Sequence, residues 1–298
     1  MPSLIEILTQ SEHFLKSKGI LAARLDAELL LSQLLRYNRL SLYLHLNDNM
    51  EGHLLSQFQH MVSRRGSREP LQYIVGEVDF HGLSIAVDRN VLIPRHETEE
   101  LVDIIISRFG NRPIGSILDL GTGSGAIGLA LAKHFPKANV LAVDTSQNAL
   151  LTAQKNAIRN RMANIRFMVS DWLENVDGIF DMIISNPPYL TDKEFENVQD
   201  EIKKFEPKCA LVAKNNGLAD IFKIISTTGR SLAKDGVLAL ETGSFQHESI
   251  ASFAKNYFGK FESMDDLSGK NRFVFLQNNT KFRLPSDIND STLPLSFN

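Results

Sequence analysis

The chain is poor in cysteine, in long apolar runs and in clustered positive charge. Cys209 is the only cysteine among 298 residues, which excludes an internal disulfide and suits a reducing compartment. No apolar run approaches the ~20 residues that a membrane-spanning helix needs. The start, Met1-Pro2-Ser3-Leu4-Ile5-Glu6, has neither the basic region nor the apolar core of a secretory leader, so a soluble cytoplasmic protein is expected. Lysine and arginine come only in short pairs such as Arg64-Arg65 and Lys203-Lys204. With a net charge of -3 and a pI near 6.3, nothing resembles a footprint for a phosphate backbone, and no direct nucleic-acid partner is expected. The eight histidines are scattered without ligand spacing, so no metal is expected. No internal repeat is present.

What is present suffices for two domains, since 43% of the residues are hydrophobic. Residues 1–73 read as a small helical domain, with Leu21, Leu25 and Leu29, then Leu30, Leu31, Leu34 and Leu35, at near-helical spacing as its core. Residues 74–96 read as a linking β-hairpin, with strand-like alternation over 74–87 around His81-Gly82. Residues 97–277 read as an α/β domain. Leu101, Val102, Ile105, Ile106 and Phe109 mark its first helix, and strands are expected over 116–120, 139–143, 164–170, 180–185 and 236–241. A long helix is expected over 217–232, and 260–264 with 272–277 as a closing hairpin. Residues 278–298, rich in Asn, Ser, Asp and Pro, read as a mobile tail.

The strand over 116–120 runs into Gly121-Thr122-Gly123-Ser124-Gly125 and then a helical pattern. Glycines allow a tight turn and close backbone approach, and the helix start offers unpaired N–H groups to a polar ligand. Gly123-Ser124-Gly125-Ala126-Ile127-Gly128 fits the dinucleotide pattern G-x-G-x-x-G, whereas the absence of a following Gly-Lys-Ser/Thr excludes a P-loop. Two features weigh against a dinucleotide. Counted from the strand end the loop is Gly121-x-Gly123-x-Gly125, and Asp119 sits inside the strand, where it repels a pyrophosphate but suits the ammonium of an amino-acid cofactor.

Asp144 ends the next strand, 23 residues after Gly121, the place for an acid that accepts ribose hydroxyls. Asp171-Trp172 ends the third, with Asp171 suited to an adenine amino group and Trp172 to covering the ring. Each has a plainer alternative: Asp144 as a cap for the helix near Ser146, Asp171 as a solvated loop acid, Trp172 as packing. The fourth strand ends in Asn186-Pro187-Pro188-Tyr189. Two prolines stiffen this lip and remove two donors, leaving the Asn186 and Pro187 carbonyls and the Asn186 amide oxygen free to accept from a planar NH2 group. Tyr189 adds a flat face. Polar groups at four successive strand ends fit the rule that ligands of open α/β sheets bind beyond the carboxyl ends of the strands.

These segments resemble the class I methyltransferases that use S-adenosyl-L-methionine, and within them the protein-glutamine methyltransferases of peptide chain release factors, the PrmC or HemK family. The resemblance runs through Asp26-Ala27-Glu28-Leu29-Leu30, Arg68-Glu69-Pro70-Leu71-Gln72-Tyr73-Ile74, Phe80-His81-Gly82-Leu83 and Ile93-Pro94-Arg95-His96-Glu97-Thr98-Glu99-Glu100-Leu101-Val102. It continues through the glycine loop, the lip, Glu206-Pro207 and Asp266-Leu267-Ser268-Gly269. It departs at His96, where the family usually carries proline, and over 213–218, which is poorer in glycine. It implies a Rossmann-like domain with a seven-stranded mixed sheet, S-adenosylmethionine as cofactor, and the glutamine of the Gly-Gly-Gln motif in class I release factors as methyl acceptor. It also implies Asn186, Pro187 and Tyr189 as catalytic residues, and Arg95 beside the substrate edge, with a domain-linking polar contact as the plainer alternative for Arg95. Enzymes that methylate the exocyclic amine of adenine in DNA share the lip and form the alternative, and a non-catalytic nucleotide-binding module is a third reading.

Overall fold

The computed structural model describes residues 1–278. Five helices, α1 (Leu4–Ser17), α2 (Ala23–Leu35), α3 (Arg39–Leu44), α4 (Gly52–Gly66) and α5 (Leu71–Val75), close on an apolar cluster that includes Leu8, Leu15, Leu30, Leu31 and Phe58. Helix α2 buries the expected Leu30 and Leu31 but not the first leucines of the expected set. Ala23, Ala27, Leu30 and Leu31 are buried, whereas Leu21 and Leu25 are exposed. The helix begins only at Ala23, which leaves Leu21 in the preceding turn. A leucine-rich helix carries more than one apolar stripe, and here the stripe that includes small alanines, able to admit a close neighbour, is the buried one.

An antiparallel hairpin follows, β1 (Glu77–Phe80) and β2 (Leu83–Ala86), turning at His81-Gly82. Helix α6 (His96–Phe109) then leads into a seven-stranded mixed sheet of β3 (Ser116–Leu120), β4 (Asn139–Asp144), β5 (Ile165–Val169), β6 (Phe180–Ser185), β7 (Leu232–Glu241), β8 (Lys260–Asp265) and β9 (Asn271–Gln277). Their order in space is β5-β4-β3-β6-β7-β9-β8. The first five are parallel, and β9 runs antiparallel between β7 and β8. The Rossmann-like α/β expectation therefore holds.

Side chains alternate between two cores, as the period of two in a strand requires. Ile117, Val140, Ala142, Met182 and Ile184 pack with α6, α7 (Ala126–His134) and α8 (Gln147–Arg159). Leu118, Leu120, Val143, Ile183 and Leu238 pack with the helices Ala219–Thr228 and His247–Ala254. Burial on both faces is why β3 and β6 read as almost unbroken apolar runs. The helix expected over 217–232 is shorter, Ala219–Thr228: Asn215, Asn216 and Gly217 take positive φ and form a turn before it, and Leu232 already belongs to β7. Strand β7 starts four residues earlier than expected, at Leu232.

Arg65 of α4 joins the helical region to the sheet domain. Its Nε donates to Asp26 (2.7 Å) and its Nη1 to Glu201 (3.1 Å), which also accepts from Arg68. Glu201 belongs to the segment that follows the lip. Among the described residues no helix is long and apolar enough to cross a membrane. The tail expected over 278–298 lies, from residue 279 onward, outside the described residues.

Candidate active site

Strand β3 has β4 on one side and β6 on the other, so the chain leaves it in opposite directions and a crevice opens beyond the carboxyl ends. The glycine loop sits there. Gly121, Gly123 and Gly125 have φ of 68°, 54° and 85°, a region that side chains with a Cβ rarely adopt. The Thr122 amide donates to the Val143 carbonyl of β4 (2.9 Å), and that of Gly123 to Asp144 Oδ2 (2.8 Å). The other Asp144 oxygen accepts from the Ser146 amide (2.9 Å), and Ser146 caps α8 through the Ala149 amide. Asp144 thus joins the loop to the start of α8, and each carboxylate oxygen keeps a lone pair for a further donor. Asn156 Nδ2 holds the carbonyl of Ser124 (2.9 Å).

A cavity of about 450 Å³ opens beside this loop. Of the residues singled out from the sequence, Gly121, Gly123, Asp144, Asp171, Trp172, Asn186 and Pro188 line it, and Pro207 and Cys209 stand on its wall as well. Trp172, in the left-handed region at φ 52°, donates from Nε1 to Asp220 (3.2 Å). Its ring lies so close that a Cβ on Gly121 would stand 3.2 Å from Cζ3. Asp171 faces the cavity but is paired with Lys223 (2.8 Å), so it is neither free nor simply solvated.

Three residues sit differently from what their expected roles suggest. Asp119 does not reach the cavity wall. It is fully buried, accepts from Thr122 Oγ1 (2.5 Å) and the Gly128 amide (2.9 Å), and braces the loop against α7. Burial pushes its carboxyl up to about 6, against those two hydrogen bonds. Its Oδ1 has no partner among the described residues. Arg95 is also off the wall. It pairs with buried Glu206 (2.6 Å), which accepts the Ile93 amide too, so Arg95 anchors the linker to the segment after the lip. Tyr189 turns from this cavity to a neighbouring one of about 460 Å³ that includes Phe245, Gln246 and Arg272. His96 is almost wholly exposed, so the departure from proline there costs no packing.

The lip itself is held by side chains that the sequence did not single out. Asn186 Nδ2 donates to Thr98 Oγ1 (3.0 Å), and Thr98 donates to Glu241 Oε2 (2.7 Å). Tyr189 OH donates to Glu241 Oε1 (3.2 Å). Burial raises the Glu241 carboxyl to about 7, opposed by the Thr98 hydrogen bond and the Arg272 charge, and burial also raises the Tyr189 hydroxyl. The strand-end rule that picked out the acids after β3, β4 and β5 applies equally to Glu241, the last residue of β7. Gln246 Nε2 fastens the Tyr189 carbonyl (2.9 Å) to the turn at Asn216 (3.2 Å). Asn186 Oδ1 and the Pro187 carbonyl accept no hydrogen bond among the described residues.

Residues 97–208 match the Methyltransferase small domain family, and residues 6–76 match the PrmC N-terminal domain family. A release factor glutamine methyltransferase of Buchnera aphidicola subsp. Schizaphis graminum is 37% identical over 255 residues, covering 85% of this chain and 92% of that protein. The chain belongs to the release factor glutamine methyltransferase family. A second member of the family, from Geobacter sulfurreducens, is 36% identical over 270 residues, 90% of this chain and 94% of that one. Among solved structures, the T. thermophilus 16S rRNA N2 G1207 methyltransferase in complex with AdoMet and guanosine superposes with a TM-score of 0.51. It covers 68% of this chain and 50% of its own at 18% identity, which shows the shared fold alone.

Proposed function

We propose that the chain transfers a methyl group from S-adenosylmethionine to the side-chain amide nitrogen of the glutamine in the Gly-Gly-Gln motif of class I peptide chain release factors, a cytoplasmic reaction of translation termination. The observation that carries this reading is the set of acceptors at the lip. Among the described residues Asn186 Oδ1 and the Pro187 carbonyl accept no hydrogen bond, and Asn186 and Pro188 line the cavity beside the glycine loop.

The residues present fit the cofactor. Asp144 has lone pairs left for ribose hydroxyls, and Trp172 with Asp171 suits an adenine. The orphaned Asp119 Oδ1, buried behind the loop, is a negative centre that a nearby ammonium would compensate. When bound, S-adenosylmethionine supplies a methyl group already activated on a sulfonium. The chain's own residues have to deal with the acceptor, because an amide nitrogen delocalises its lone pair into the carbonyl and is a poor nucleophile. Acceptors aimed at both N–H bonds favour the pyramidal, positively charged nitrogen of the transition state more than the planar ground state, which is what accelerates transfer. Holding the nitrogen in line supplies the rest. The cationic product nitrogen is acidic enough to lose its proton unaided, so no general base is required.

The test is transfer of radiolabelled methyl with three acceptors in parallel: purified release factor, the same factor with its Gly-Gly-Gln glutamine replaced, and adenine-containing DNA. Label on the intact factor alone is expected. Label on the DNA but not the factor would overturn the substrate assignment.

A further inference from the structure

A side-chain amide offers an oxygen on one side and two N–H groups on the other, and a half-turn about its last bond exchanges them. At the lip this choice decides whether an incoming NH2 group meets an acceptor or two more donors. The surroundings of Asn186 settle it by counting protons once Glu241 is ionised. Above its raised value of about 7 Glu241 is ionised and acceptor-only, so there the single hydroxyl proton of Thr98, 2.7 Å away, goes to Glu241. Thr98 Oγ1 is then left with lone pairs alone and can only accept from Asn186, 3.0 Å away. The NH2 of Asn186 is drawn to Thr98 and its Oδ1 is turned outward.

Thr98 and Glu241 are both buried and come from the first turn of α6 and the end of β7, so each is fixed by an element outside the lip. The remaining Glu241 oxygen accepts from Tyr189, so one carboxylate anchors both ends of the Asn186-Pro187-Pro188-Tyr189 turn. We propose that Thr98 and Glu241 are positioning residues for methyl transfer, which act by holding the Asn186 amide with its oxygen toward the acceptor nitrogen. The proposal rests on the reading that Asn186 receives a glutamine amide. Glu241 needs no contact with the substrate to act in this way.

Thr98→Val keeps the shape of the side chain and removes the hydroxyl, while Thr98→Ser keeps the hydroxyl and removes a methyl. With release factor as acceptor, Thr98→Val should lower kcat by about tenfold or more, the scale for losing an aligned polar contact in the transition state. S-adenosylmethionine affinity measured by calorimetry should stay within about twofold, since Thr98 does not line the cofactor cavity. Thr98→Ser should recover most of the lost kcat. Thr98→Ala serves as the second hydroxyl-free variant should the valine form fail to fold. Undiminished kcat in the hydroxyl-free variants, or Thr98→Ser as impaired as Thr98→Val, would overturn the proposal while the wild-type activity stands. Wild-type enzyme that labels no glutamine acceptor would overturn the functional reading and, with it, the inference.

Discussion

Gly217→Ala is expected to damage the lip from outside the cofactor cavity, through contacts that can be counted. Gly217 has φ 77°, and a Cβ built on it would stand 2.0 Å from the Tyr189 carbonyl oxygen, 2.8 Å from its carbon and 2.6 Å from Gln246 Nε2. Real Cβ atoms essentially never come within 3.0 Å of such atoms, so the turn and the Tyr189 carbonyl must separate by about 1 Å at least. The left-handed conformer costs an alanine about 1–2 kcal/mol, partly offset by the lower entropy of its unfolded chain. Separation also strains the Gln246 hydrogen bonds to Tyr189 and Asn216, worth about 1 kcal/mol each. The total loss should be about 2–4 kcal/mol.

Gly269→Ala provides the control, because it has nearly the same φ, 74°, with nothing within 4 Å of its Cβ, and should cost about 1 kcal/mol. Urea unfolding of both variants isolates the cost of displacing the carbonyl. A shift of ~1 Å at a positioning group can cost about a hundredfold in rate. Turnover of Gly217→Ala should therefore fall by between about ten- and a hundredfold, with Gly269→Ala within about twofold of wild type. Equal stability and equal turnover in the two variants would refute the claim that the Gly217 turn braces the lip.

Other outcomes follow from the same geometry. Glu241 has a folded pKa of about 7, above its ordinary value of 4.5, and is faced by Thr98 and Glu97 on α6, Tyr189 on the lip and Arg272 on β9. A carboxyl raised on folding contributes stability at low pH that is lost as pH rises through the folded value. Wild type should therefore lose on the order of 3 kcal/mol relative to Glu241→Gln between about pH 4.5 and pH 8, read from denaturant melts across that range. Arg65→Ala leaves buried Asp26 and mostly buried Glu201 without their shared cation, and should cost about 2–4 kcal/mol in the same melts, whereas Arg112→Ala on the surface should cost under about 0.5 kcal/mol. Asp144→Asn, which keeps only one of two oxygens for the Gly123 and Ser146 amides, should weaken S-adenosylmethionine binding by about tenfold or more in calorimetry.

Local chemistry made much of this molecule legible. The buried parallel strands announce themselves as apolar runs, the glycine loop by its position after β3, and the acids by the strand ends they occupy. What stayed hidden depends on contacts between distant parts of the chain. The inner face of α2 is chosen by its packing against its neighbours, so the spacing of Leu21 and Leu25 pointed to the solvent side. Asp119 reads like a ligand-facing acid but gives one of its oxygens to the loop and α7, and of the two readings open for Arg95 it is the linking contact that forms, to Glu206, 111 residues away. Thr98 and Glu241, separated by 143 residues, meet only once α6 has folded over the sheet. No local pattern marks that meeting, although the position of Glu241 at the end of β7 pointed toward it.

The central claim is that Asn186 and its neighbours receive a glutamine amide and promote its methylation. Mass spectrometry of the Gly-Gly-Gln peptide from release factor, incubated with S-adenosylmethionine and either wild-type enzyme or Asn186→Ala, tests it most directly. The account predicts a mass gain of one methyl group on that glutamine with wild type, and at least about a hundredfold slower gain with Asn186→Ala at nearly unchanged cofactor affinity. An unmodified glutamine with wild-type enzyme, or methylation at the wild-type rate without the Asn186 side chain, would contradict it.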